Sequence, residues 1–114
     1  MTVQVTVIGI NQIGASIGLA LKANPHGFTS VGTDMDLINE QKSLKMGAFD
    51  RVQHNIPKAV EQADIVVLCL PVDDIRKTLE ILASVLTPGA VVLDTSVLLS
   101  TVHKWAASLF GDDR

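Results

Sequence analysis

The chain has 114 residues, of which 47% are hydrophobic and 18% charged, with a formal net charge of −3. That balance fits one domain with an aliphatic core and excludes disorder, and the absence of any basic run excludes the Lys/Arg footprint of nucleic-acid binding. The single cysteine, Cys69, excludes an internal disulfide, and the lack of a basic leader and of membrane-length apolar runs leads us to expect a soluble cytoplasmic protein with no membrane partner.

Residues 3–10, VQVTVIGI, are rich in β-branched side chains and predict a first strand. NQIG follows, then ASIGLALKA as a helix with small residues on one face, stopped at Asn24-Pro25-His26-Gly27. Residues 28–33 predict a second strand that runs into Asp34, and residues 36–46 a helix with Gly47 just past its end. Residues 48–53 suit a short third strand, and 57–63 a brief helix with Pro57 in its first turn, where the missing N–H costs nothing. Asp64 then opens IVVLCLP, an apolar run of the length and composition of a buried central strand. Ile75, Leu79, Leu82 and Leu86 repeat at helical period over 73–86, Thr87-Pro88-Gly89 makes a turn, and 90–94 is a fifth strand. Val102, Trp105, Leu109 and Phe110 mark the apolar stripe of a last helix.

Strict alternation of strand and helix predicts an α/β fold, a doubly wound and mostly parallel sheet with helices on both faces, because parallel strands need crossover connections. Ligands of such sheets bind beyond the carboxyl ends of the strands, which here are the segments after Ile10, Thr33, Leu70 and Asp94.

After the first strand stands Gly9-Ile10-Asn11-Gln12-Ile13-Gly14, followed by Gly18. This is the G-x-G-x-x-G fingerprint of a Rossmann-type dinucleotide site with Asn11 in place of the second glycine. Gly9 serves the tight turn, the second position lets a pyrophosphate approach, and Gly14 lets helix and sheet pack closely; the helix N-terminus offers N–H groups and partial positive charge to phosphate. Asn visits left-handed backbone more readily than other side-chain-bearing residues, so the turn is expected to survive with binding intact or somewhat weakened. Taken alone, the motif is also compatible with a tight strand-to-helix turn that holds no ligand.

Asp34 closes the second strand about 20 residues after Gly14, where a carboxylate hydrogen-bonds an adenosine ribose. It equally suits the N-cap of the next helix. Met35, Asp36 and Leu37 bring no Lys or Arg to receive a 2′-phosphate, and Asp36 repels one, so the cofactor expected is NAD in preference to NADP. The cofactor-binding set is Gly9, Asn11, Gln12, Ile13, Gly14 and Asp34, with Leu70, Pro71 and Val72 after the fourth strand.

The segments VTVIGINQIGASIGLALK, VGTDMD, ADIVVLCLPVDDIRKTLEIL and LTPGAVVLDTSV closely resemble the NAD-binding domain of prephenate and arogenate dehydrogenases, within a superfamily that also holds 6-phosphogluconate and 3-hydroxyacid dehydrogenases. The most specific pieces are Ala63-Asp64 before the apolar strand, Pro71 after it, and Pro88-Gly89 leading into Asp94. The resemblance implies that residues 1–114 form an NAD(P)-binding Rossmann domain of an NAD-dependent dehydrogenase of tyrosine biosynthesis, transferring hydride from prephenate or arogenate with decarboxylation. It further implies a small-molecule substrate, and a C-terminal substrate and dimerisation domain outside this chain through which the parent forms a homodimer. Ser96 is placed against the family's serine near the nicotinamide, although Asp94-Thr95-Ser96-Val97-Leu98 is one residue short of the family pattern and has Leu98 for its lysine. A plain loop hydroxyl or helix cap is the competing reading of Ser96.

The family's catalytic histidine, in a G-G-H-P-like segment, has no counterpart here, and alone these residues are expected to bind cofactor and catalyse little. His26, His54 and His103 read as solvated surface histidines, Cys69 as a small buried hydrophobe, and the adjacent Asp73 and Asp74 as helix-capping and dipole-complementing residues. No metal site is expected. Two other classes share parts of this pattern: regulatory NAD-sensing domains, which carry the glycine motif and the ribose carboxylate, and methyltransferases, which use a similar fold for another cofactor.

Overall fold

The computed structural model describes residues 3–24 and 27–95. Its elements alternate: β1 (Val3–Ile8), α1 (Gln12–Ala23), β2 (Phe28–Thr33), α2 (Leu37–Lys45), β3 (Arg51–Val52), α3 (Ile56–Ala59), β4 (Ile65–Leu68), α4 (Val72–Val85) and β5 (Val91–Asp94). The strands form one sheet in the order β3-β2-β1-β4-β5, and every pairing is parallel. The chain winds outward from β1 to β3 and returns to lay β4 on the other side of β1. The reversal leaves a crevice between the carboxyl ends of β1 and β4.

Both faces of β4 are covered, which is why its sequence, IVVL, is a continuous apolar run. On one face Val5, Val7, Val67 and Cys69 pack with Ala48, Phe49 and the apolar side of α1. On the other, Ile8, Val66 and Leu68 meet Val60, Ala63 and Leu82 of α4. Thr6 is fully buried on that second face, and its hydroxyl donates to the Ala59 carbonyl at 2.7 Å. Asp50 joins three segments: Oδ1 meets Lys22 Nζ at 2.9 Å, and Oδ2 accepts the Ser30 N–H at 2.8 Å.

The expected α/β, doubly wound architecture is the observed one, and the differences lie at element ends. The first strand stops at Ile8 because Gly9, at φ +101°, turns the chain out of the sheet. The third strand shrinks from 48–53 to Arg51–Val52, since Ala48 and Phe49 are drawn into the core as loop residues. The third helix starts at Ile56, one residue before Pro57, because Asn55 caps it by accepting the Lys58 N–H at 3.0 Å. On α4 the N-cap is Pro71, with no side-chain hydrogen bond, so Asp73 and Asp74 complement the helix dipole from inside the first turn and do not cap it. The last predicted helix, His26, His103 and Ser96 lie outside the described residues.

Candidate functional site

The glycine turn is built by steric necessity at two positions. A Cβ on Gly9 would overlap the carbonyl oxygen of Cys69, and its positive φ suits only glycine well. A Cβ on Gly14 would overlap the carbonyl oxygen of Gly9, so glycine there lets α1 start directly against the turn. The Gly9 N–H donates to the Thr33 carbonyl at 2.9 Å, fastening the turn to the end of β2.

Asn11 corrects the expectation drawn from its type. Its backbone is extended, at φ −90° and ψ −169°, and no residue other than glycine has positive φ among those described. An N-cap needs this extended geometry. Oδ1 accepts the Gly14 N–H at 2.9 Å, and Nδ2 donates to the Cys69 carbonyl at 2.9 Å, so the side chain tethers the start of α1 to the end of β4. That leaves the main-chain N–H groups of Gln12 and Ile13 as the first-turn donors without a protein acceptor among the described residues, at the positive end of the helix dipole.

Asp34 faces this turn. Its Oδ2 accepts the Ile10 N–H at 2.6 Å and its Oδ1 the Asp36 N–H at 2.8 Å. A carboxylate has about four lone-pair sites, so two acceptor positions remain on a group already fixed in place. Two hydroxyls of a vicinal diol match that capacity. The N-cap of α2 is Asp36, whose Oδ1 accepts the Ile38 N–H at 2.8 Å, and Asp34 has no part in capping.

A cavity of about 460 Å³ opens beside Asp34, walled by Gly9, Met35, His54, Ile56 and Leu70 among others, a size within the range of small-molecule sites. Gly9, Asp34 and Leu70 of the expected set meet here. Val72 does not: it is 69% exposed and lies with Ile75, Leu79, Ala83 and Asp94 along a separate groove of about 530 Å³ on the flank of α4. Pro71 lies between the two as the exposed N-cap of α4.

His54 is exposed, as expected of a surface histidine, but it also has a buried partner. Its Nδ1 lies 3.0 Å from Glu40 Oε2, and Glu40 is 2% exposed. The same Oε2 accepts the Asp34 N–H at 2.9 Å. Sequence reasoning missed Glu40, which no signal in the sequence of α2 marks as the buried residue. Cys69 is buried, and burial pushes its thiol pKa up, partly offset by a side-chain hydrogen bond with Thr95. Its chemistry is that of a small apolar side chain. Among the described residues no group of three or more His, Cys, Asp or Glu could hold a metal ion, and no helix is long and apolar enough to cross a membrane.

A family model described as prephenate dehydrogenase, nucleotide-binding domain, matches residues 17–111. A prephenate dehydrogenase of Lactococcus lactis subsp. cremoris is 30% identical over 111 residues, covering 94% of this chain and 30% of the relative. Among solved structures, an arogenate dehydrogenase from Synechocystis is 28% identical with a TM-score of 0.73, covering 80% of this chain and 32% of that one. A prephenate dehydrogenase from Aquifex aeolicus, in complex with hydroxyphenyl propionate and NAD+, shares the fold with a TM-score of 0.76 at 24% identity, covering 83% of this chain and 34% of that one.

Proposed function

The chain belongs to the nucleotide-binding domain of the prephenate dehydrogenase family, and from that premise we propose that it holds NAD for the oxidation of prephenate or arogenate in the cytoplasm. The observation that carries the reading is Asp34, tethered by two amides beside the glycine turn with two acceptor positions left for a ribose diol. The Gln12 and Ile13 N–H groups at the start of α1 take the pyrophosphate. Asp36 stands two residues from Asp34 with no Lys or Arg between them, which disfavours the extra phosphate of NADP. A relative of the same fold is in complex with NAD+.

NAD would supply the hydride acceptor, and the substrate's loss of a hydride and of its carboxylate as CO2, whose bonding electrons stay in the ring, would yield an aromatic ring. This chain's part is to bind and orient the dinucleotide along the carboxyl ends of β1, β2 and β4. The chain spans 30% of the length of the Lactococcus lactis relative, and the substrate-binding and dimerising functions of the parent belong, in this reading, to a further domain. Ser96, in the segment after β5, is the residue assigned to the nicotinamide side. Titration calorimetry tests the reading. NAD should bind saturably at millimolar concentration and NADP at least tenfold more weakly; no heat with NAD, or a preference for NADP, overturns it.

A further inference from the structure

Helix α2 is built inside out. Its buried residues are Glu40 and Ser43, while Leu37, Ile38 and Leu44 are exposed. A carboxylate with 2% exposure is costly unless it is hydrogen-bonded, and Oε2 of Glu40 takes two contacts, from the Asp34 N–H at 2.9 Å and from His54 Nδ1 at 3.0 Å. Asp34 is thus held from behind through its main chain while the Ile10 and Asp36 amides hold its side chain in front.

The same contact decides which ring nitrogen of His54 carries hydrogen. In a neutral ring, contact with a carboxylate, which only accepts, puts the hydrogen on Nδ1 and leaves Nε2 as the acceptor. Nothing among the described residues hydrogen-bonds to Nε2. The His54 side chain is 50% exposed and lines the cavity together with Asp34, beyond the end of β3. Apolar Met35, Ile56 and Pro57 line the same cavity, and the ribose carboxylate stands at its edge. In the dinucleotide reading above, this is the space open to the base beyond a ribose at Asp34.

We propose that His54 determines specificity for the adenosine half of the dinucleotide, accepting at Nε2 a hydrogen bond from a neutral donor of that half, and that Glu40 is the positioning residue that holds the ring in the accepting tautomer. The inference rests on the dinucleotide reading above. The donor is the exocyclic amine of the base, because each ribose hydroxyl has a single proton and both are given to Asp34.

Calorimetry on the full chain with NAD and nicotinamide hypoxanthine dinucleotide tests this. His54→Phe should weaken NAD about five-fold, the scale of one neutral hydrogen bond. Wild type should prefer NAD to the hypoxanthine analogue, and His54→Phe should erase that preference; a preference that survives His54→Phe overturns the inference. Glu40→Gln keeps one oxygen to accept both contacts and should retain affinity within about threefold, whereas Glu40→Met should lose it as His54→Phe does. Ring ¹⁵N shifts of His54 should report Nδ1–H in wild type and Glu40→Gln, and mainly Nε2–H in Glu40→Met. If wild type binds NAD and His54→Phe binds it within twofold, the inference is overturned and the dinucleotide reading stands. If wild type binds no NAD, both fall.

Discussion

A methyl group on Gly14 has nowhere to go, because the Gly9 carbonyl oxygen already fills the space. Gly14→Ala must therefore push α1 off the turn, at about 1–3 kcal/mol for overpacking, and it should lower the melting temperature by several degrees and weaken NAD at the same time. The paired readout separates it from a distant core change, which would move stability alone. Asp34→Asn keeps one acceptor oxygen and loses the charge that strengthens each hydrogen bond. NAD affinity should fall by about tenfold or more in calorimetry, and an unchanged affinity would remove Asp34 from the ribose site. These residues were legible because each answers to its immediate backbone: a turn, a close approach, the end of a strand. Asn11 was legible as a departure but not as a conformation, since its role depends on the Cys69 carbonyl, which the fold brings from β4. Glu40 and His54 were illegible for the same reason. On a helix that exposes Leu37 and Ile38, nothing local marks a glutamate as the residue turned inward.

Element order and type were read correctly over the described residues because period and punctuation are local signals, and the errors are places where packing outweighed them. Ala48 and Phe49 have the composition of strand but serve as core-filling loop, leaving β3 two residues long. Main-chain hydrogen bonds from Asp50 and Gln53 to β2 hold that short edge in register, and a side chain adds to them. Asp50 accepts the Ser30 N–H on β2 and pairs with Lys22 at the end of α1, and these contacts, Lys22 foremost, hold its pKa below the usual 3.8. A carboxyl depressed on folding contributes stability above 3.8 that is lost as pH falls through the lower folded value. Both partners are more than a third exposed, so screening keeps the ion-pair part small. Asp50→Asn should lower the denaturation midpoint at neutral pH, and the gap to wild type should close well below pH 3.8. A gap that persists in acid would assign the effect to packing.

For the whole domain, ligand and stability are linked. NAD at a hundred times its dissociation constant should stabilise the folded state by about 2.7 kcal/mol, a rise of about 10 °C in melting temperature, with NADP at equal concentration giving much less. Equal shifts from both would remove the discrimination assigned to Asp34 and Asp36. The sheet order also governs how the domain comes into being. β1 leaves the ribosome first yet finishes as the central strand, with β2 on one side and β4 on the other. Its pairing with β2 follows soon after synthesis of α1, but Val5 waits for Ile65 before its other side is covered. Until then the nascent chain carries an open, apolar strand edge of the kind that chaperones shield and that neighbouring chains on a polysome can capture. The arrangement that places the crevice beside β1 also gives β1 the longest wait between its own synthesis and the covering of both its edges.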